Sequence, residues 1–304
     1  MLNRRHIRIK ILQLLYSKKT AKIDNISLLK QFELTSQNFF KLFLTQILLL
    51  KEIYIESLRV IELNEKKYFK KDYKSIKKLF SENKLLNSIY SDKYLEKSKK
   101  KYELNYFNDN QNKVKNIFRD VLESESFINF SKKECFFMED IYQNVIANSE
   151  ELFDFYEECE IGWTDDFPLV NTILLNWIVS KSLDKSIKIP KKIFKDNLDK
   201  KFGKDLFRLV VKDSENTEEL IDNYTPDWDN DRIASVDKIL IKMCIYEFLS
   251  FPSIPVKVSI NEYVEISKDY SSPKSSTFIN GVLNSIFKKL SKDGLIKKNE
   301  RGSQ

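Results

Sequence analysis

No glycine occurs before Gly162 and no proline before Pro168, in a chain of 304 residues. At average usage such a stretch would hold roughly twenty of them. Both residues break helices, so their absence favours long helices joined by polar turns. Isoleucine is common throughout, yet the strict apolar–polar alternation that marks a half-buried strand is hard to find. The expected class is all-α. With 42% hydrophobic and 13% aromatic residues the chain can build a core despite 32% charge.

The same composition removes several chemistries. The single histidine, His6, sits in a basic run, so a Ser-His-Asp or Cys-His site would have to be built there. Cys135, Cys159 and Cys244 are scattered, with no C-x-x-C and no histidine nearby, which argues against structural zinc and for buried thiols in a reducing cytosol. Five glycines form neither a G-x-x-x-x-G-K-[ST] loop nor a G-x-G-x-x-G turn. No catalytic residue, metal or cofactor is expected. The basic opening lacks a cleavage site, and the most apolar run, residues 42–50, is about half a membrane span. A soluble, cytoplasmic protein with no membrane partner is expected.

Four zones follow from the pattern. Residues 1–19 read as a basic amphipathic helix, and residues 20–134 as a Lys/Asn/Phe/Tyr-rich helical region. Within it a helix is expected over residues 37–61, with Phe40, Phe43, Leu44, Ile47 and Leu48 at helical spacing. Runs such as Lys97–Lys101 read as solvated helix faces. Residues 135–290 carry sharper helix ends. Two stretches there, opening at Trp163 and at Trp228, each join a tryptophan to an acidic helix start and an apolar helix. Residues 291–304 read as a flexible tail.

Two segments carry functional information. In the first helix Ile7, Ile11 and Leu14 make an apolar stripe, and Arg4, Arg5 and Arg8 share an adjoining face. Three of only eight arginines fall within five residues, against 44 lysines in the chain. The guanidinium fork grips phosphate bidentately and stacks on bases, which ammonium does not. Tyr16, further along, could offer a ring for stacking.

Near the C-terminus, Ser259-Ile-Asn-Glu262 has the form of a capping box after Ile254-Pro255, opening a helix that ends near Tyr270. Pro273 fits near the first turn of the next helix, whose stripe is Ile279, Val282, Leu283, Ile286, Phe287 and Leu290. Lys274 and Phe278 bring a cation and a ring to that helix start, a place for a phosphate and a base. On spacing alone Phe278 reads first as core. Gly281 costs about 1 kcal/mol in a helix, which close approach of another backbone would explain.

These residues carry a resemblance. Arg4-Arg5-His-Ile-Arg8 followed by Gln13-Leu-Leu-Tyr16 resembles the arginine-rich opening helix of the NusB family of bacterial transcription antitermination factors. The runs Asp229-Asn-Asp-Arg-Ile-Ala, Tyr246-Glu-Phe-Leu, Ile254 to Glu262 and Phe278-Ile-Asn-Gly-Val282 follow in NusB order and spacing. The stretch from Trp163 to Val179 is similar to long NusB proteins of the Bacteroidetes kind. The resemblance implies a NusB-like antitermination fold of two small helical bundles, with a large extra helical region after the first helix and no catalytic site. It also implies binding of boxA-type single-stranded RNA in nascent ribosomal RNA transcripts, together with ribosomal protein NusE, within an RNA polymerase antitermination complex. Arg4, Arg5, Arg8, Tyr16 and Phe278 match family RNA-contact positions, and Lys274 adds to that set. Asp237 matches an acidic NusE-facing residue, with Glu262 beside it as a second partner-binding candidate.

The chain departs from the family in three places. Ile7 and Ile11 replace small residues, residues 20–134 exceed a compact NusB, and Lys274 stands where an acid often occurs. Two other readings remain open: a helical protein-interaction module in ribosome biogenesis with incidental RNA contact, and the RNA-binding part of a ribosomal RNA methyltransferase. The second lacks a cofactor-binding α/β domain after Leu290.

Overall fold

The computed structural model describes residues 2–21, 25–66, 73–130, 137–160, 162–182, 187–212, 221 and 233–302. Every regular element among them is helical; the one β-bridge joins Leu2 to Phe194, beside a bond from the Lys195 amide to the Leu2 carbonyl (3.0 Å). The chain divides into two compact units, Met1–Ser36 with Phe194–Gln304, and Gln37–Ile193.

The first unit is built on α1 (Arg4–Ala21), the start of α2 (Asn25–Lys66) and four later helices. Between them in sequence lie α3 (Tyr73–Ile76), α4 (Lys84–Tyr90), α5 (Lys93–Lys101), α6 (Gln111–Glu123), α7 (Glu125–Ile128), α8 (Phe137–Ile141), α9 (Glu150–Cys159) and α10 (Trp163–Ser182). The four later helices are α11 (Asn197–Lys212), α12 (Ser235–Ser250), α13 (Val256–Tyr270) and α14 (Ser275–Lys292). Helices α12, α13 and α14 pack on one another, and α1 lies against α11, α12 and α13.

Helix α12 is central because it is buried on most of its sides. Leu240 to Ile245 are all buried in succession, Lys242 among them, and so are Asp237 and Glu247. The stripe foreseen in α1 is buried, with Ile7 and Ile11 at 1% and 0% exposure; each is worth roughly 1.5–3 kcal/mol on transfer from water. Ile279, Val282, Leu283, Ile286 and Leu290 of α14 are buried as their spacing requires. Gly203 of α11 lets α1 and α2 come close: a Cβ there would stand 2.8 Å from both Ile7 Cγ2 and Phe32 Cζ.

The second unit has its own core. The long helix α2 supplies Phe39, Phe40, Phe43, Leu44 and Ile47 to it, so the helix expected over residues 37–61 extends well beyond both ends. Phe80 packs edge-on against Phe118 and Phe137, the Trp163 indole donates to the Asn38 carbonyl (3.0 Å), and Gln46, Tyr142 and Asn171 bond to one another.

Several expectations need correction. The boundary expected at residues 134/135 lies outside the described residues, as do the 228–232 segment and Cys135, but the compact units divide elsewhere, after Ser36 and after Ile193. Phe137 and Trp163 explain this, because they bind residues 137–182 to the region before them. Helix α13 opens at Val256 behind Pro255 (φ −60°, ψ 140°), not at Ser259, which is buried inside it. Proline's fixed φ presets the helix one turn earlier. Gly281 is exposed and meets no close backbone.

The tail expected to be flexible is docked through residue 302. Gly294, at φ 67°, closes α14 with bonds from the Leu295 amide to the Leu290 carbonyl (3.0 Å) and from its own amide to Ser291 (3.1 Å), a Schellman closure that glycine accommodates. Lys298 Nζ then donates to the Phe251 carbonyl (2.9 Å), and the Asn299 amide to the Pro252 carbonyl (3.1 Å).

Replacing Gly203 with alanine should destabilise the fold by about 1–3 kcal/mol, since Ile7 and Phe32 must both shift. Urea unfolding measures this, and a midpoint equal to that of the parent protein would contradict the close approach.

Candidate nucleic-acid interface

The three arginines of α1 do not form one outward face. Each is directed to a carboxylate on a different helix. Arg8 is the buried one, at 2% exposure beside Glu247 of α12 at 0%. Its Nε and Nη2 donate to the two carboxylate oxygens of Glu247 at 2.9 and 2.6 Å, a bidentate fork. Glu247 also accepts from Ser259 Oγ (2.6 Å) and Tyr263 OH (3.0 Å) of α13. The guanidinium carbon lies 5.1 Å from the Phe202 ring centre and 5.5 Å from that of Tyr263. Burial opposes the charge on Arg8, and the paired Glu247 more than offsets it, so the guanidinium pKa rises above its ordinary value. Burial also pushes the Tyr263 phenol well up, and the Glu247 carboxylate adds to it.

The assignment of Arg8 to RNA contact is therefore corrected. Its fork is filled by Glu247, and a phosphate could reach it only by opening the core. Arg4 donates from Nε to Asp199 of α11 (2.9 Å) and lies 5.3 Å from the Phe202 ring centre. Its side chain keeps 29% exposure. Arg5 is the most open of the three, at 45%, and binds Glu262 of α13 through Nε (3.0 Å) and Nη2 (2.7 Å). This fork holds the Glu262 carboxyl below its ordinary pKa and raises that of Arg5. Glu262 also lies 3.4 Å from Arg8 Nη1. Its charge is thus engaged within the chain rather than presented free to a partner.

Asp237 is corrected on the same ground. It is 4% exposed, and its two oxygens accept from Ser271 Oγ (2.6 Å) and Ser275 Oγ (2.7 Å). Those serines flank the turn before α14, so Asp237 fixes the helix start that carries Lys274 and Phe278. Its place is internal, not on a partner-facing surface. Lys274, the residue preceding α14, is exposed, Phe278 is partly exposed, and Tyr16 of α1 is 46% exposed. Arg5, Tyr16, Lys274 and Phe278 thus keep accessible side chains in the first unit, and Arg4 retains part of its own.

His6 has a different task. The His6 amide donates to Asn3 Oδ1 (3.1 Å) while the Asn3 amide donates to His6 Nδ1 (3.4 Å), a reciprocal cap on α1 that requires a neutral ring. Burial, reinforced by the charge of Arg5, lowers its pKa to about 4.

Comparison with known proteins extends the geometry. A model of the NusB family matches residues 169–288, from α10 to nearly the end of α14. Over residues 169–288 the chain is similar to the NusB family. The transcription antitermination protein NusB of Salinibacter ruber (strain DSM 13855 / M31) is 41% identical over 101 residues, 33% of this chain and 63% of that protein. The NusB of Koribacter versatilis (strain Ellin345) is 42% identical over 89 residues, 29% of this chain and 61% of the relative. That of Clostridium kluyveri is 41% identical over 92 residues, 30% and 59% respectively. The chain thus spans about three fifths of the length of these NusB relatives. No solved structure gives a significant match.

Among residues that sequence reasoning left without a role, Glu247 stands out. It lies in the Tyr246-Glu-Phe-Leu run that carried the NusB resemblance, and an acid flanked by aromatic and apolar residues was the available signal. Asp199 and Phe202, which receive Arg4 and Arg8, lie in a segment with no pattern that announces them.

The His6 shift sets a pH dependence. The unfolded chain takes up a proton below about 6.5 and the fold resists it down to about 4, so stability should fall as pH falls through that window. Melting temperatures recorded between those limits should decline, and His6→Gln should flatten the decline; an equal slope in the variant would contradict the neutral cap.

Proposed function

We propose that the protein is a transcription antitermination factor that binds boxA-type single-stranded RNA together with ribosomal protein NusE. The observation that carries this reading is the NusB-family match over residues 169–288, shared with relatives named as transcription antitermination proteins. It is supported by the accessible side chains of the same unit. Arg5 and Lys274 attract phosphates, and Tyr16 and Phe278 offer rings to splayed bases, a combination that holds single strands without metal or cofactor. Arg4 contributes from the edge of this set. Arg8, Glu247 and Asp237 act beneath it, holding α1 and the start of α14 in place. The complex would be recruited to RNA polymerase through NusE and the bound transcript. Contact with NusE falls to residues other than the sealed Asp237.

The Nε and Nη2 fork of Arg5 takes up a phosphate only by giving up Glu262, so Glu262 competes with RNA for that fork. Removing that competitor should strengthen binding. In electrophoretic shifts with boxA RNA, with and without NusE, Glu262→Gln should bind several-fold tighter with a steeper salt dependence. Phe278→Ala should cost about 1–3 kcal/mol of RNA affinity, at a melting temperature near that of the parent protein. Binding to NusE with no RNA affinity in any variant would contradict the reading and leave a protein-interaction module. A Glu262→Gln protein that binds RNA no better than the parent would remove Arg5 from the interface.

A further inference from the structure

The first unit carries a second basic feature, which the RNA reading touches only at Arg4. A groove of about 540 Å³ lies between α11, the segment joining α12 to α13, and the docked tail. Arg4, Lys201, Arg208 and Arg301 line it, against the single carboxylate of Asp205. Lys201, Arg208 and Arg301 are exposed and make no salt bridge among the described residues. Arg301 is present because the tail folds back: the Gly302 amide bonds to Asn299, which is itself bonded to Pro252. Gly302 is buried against the Pro252 carbonyl, where a Cβ would collide.

The rest of the lining is Leu198, Leu209 and Ile254, the rings of Phe202 and Phe251, and Ser250 and Ser253. Leu198 is 62% exposed at the rim, with the half-buried Leu209 beside it and Ile254 buried beneath. The rings offer little to a base. Phe202 is buried at 3%, with Arg4 and Arg8 over it and Phe251 packed edge-on against it. Single strands are gripped by open ring faces as well as cations, and this groove supplies cations with aliphatic surface instead. That combination complements a peptide with carboxylates on one side and aliphatic side chains on the other. We infer that this groove docks an acidic amphipathic segment of a partner protein, its carboxylates on Lys201, Arg208 and Arg301 and its apolar side chains against Leu198 and Leu209.

The test uses the full chain and a fluorescein-labelled peptide of alternating Glu and Leu, with its Gln-for-Glu counterpart and an oligouridylate as comparison probes. Fluorescence anisotropy should show the acidic peptide binding, and the Gln counterpart and the Arg208→Glu/Arg301→Glu protein should each lose about tenfold or more. Leu198→Ser should weaken the peptide several-fold, because aliphatic contact and not charge alone holds it. All three replaced side chains are exposed, so melting temperatures should stay near the parent value. Undiminished peptide binding by the charge-reversed protein would overturn the proposal, as would no binding at all. Tighter binding of the oligouridylate, lost in the same variant, would overturn it too and make the groove an RNA contact. None of these variants touches Arg5, Tyr16 or Phe278, so the outcome is separable from the RNA reading.

Discussion

One buried ion pair organises the first unit. Arg8 enters from α1, Glu247 from α12, and Ser259 and Tyr263 from α13, so three helices meet at one carboxylate. Taking two charges out of water costs several kcal/mol each, and only near-complete hydrogen bonding offsets it. Here both carboxylate oxygens accept two bonds, and the guanidinium lies against two rings as well. Such a pair adds little net stability over a well-packed apolar substitute, but it strongly disfavours any packing that separates its members. It thereby fixes the register of α1 against α12 and α13.

That register divides the arginines by depth. Arg8 at the bottom is structural, Arg4 bridges to Asp199, and Arg5 at the top shares its fork with Glu262. The choice of arginine in a lysine-rich chain has two physical grounds. A buried bidentate pair needs the planar fork that ammonium cannot supply, and a phosphate at the surface benefits from the same fork. Asp237 plays the corresponding part at the other helix start, where its two serine bonds secure the turn that presents Lys274 and Phe278.

The all-α class and the apolar stripes of α1 and α14 were legible in the sequence because helical spacing alone determines which side chains can share a face. The accessible Tyr16 and Lys274 were legible too. What spacing does not contain is the third dimension. It places Arg4, Arg5 and Arg8 together on α1, but the carboxylates that receive them lie 195 to 257 residues away. The same gap explains Asp237 and Glu262, which were expected at a partner-binding surface and are held by serines and arginines. Ser259 and Glu262 had the spacing of a capping box, yet Pro255 opened the helix earlier and freed both for longer-range bonds. The tail from Ser291 onward is polar enough to read as loose, and its docking rests on backbone carbonyls at the end of α12, which no side-chain pattern reveals.

The most direct test of the central claim is a double-mutant cycle on Arg8 and Glu247 read by urea unfolding. Arg8→Met and Glu247→Gln should each lose about 3–5 kcal/mol, because each leaves a buried charge without its partner. The double variant should lose clearly less than the sum of the two. Losses that add to within about 0.5 kcal/mol would contradict the coupling, as would an Arg8→Met protein as stable as its parent.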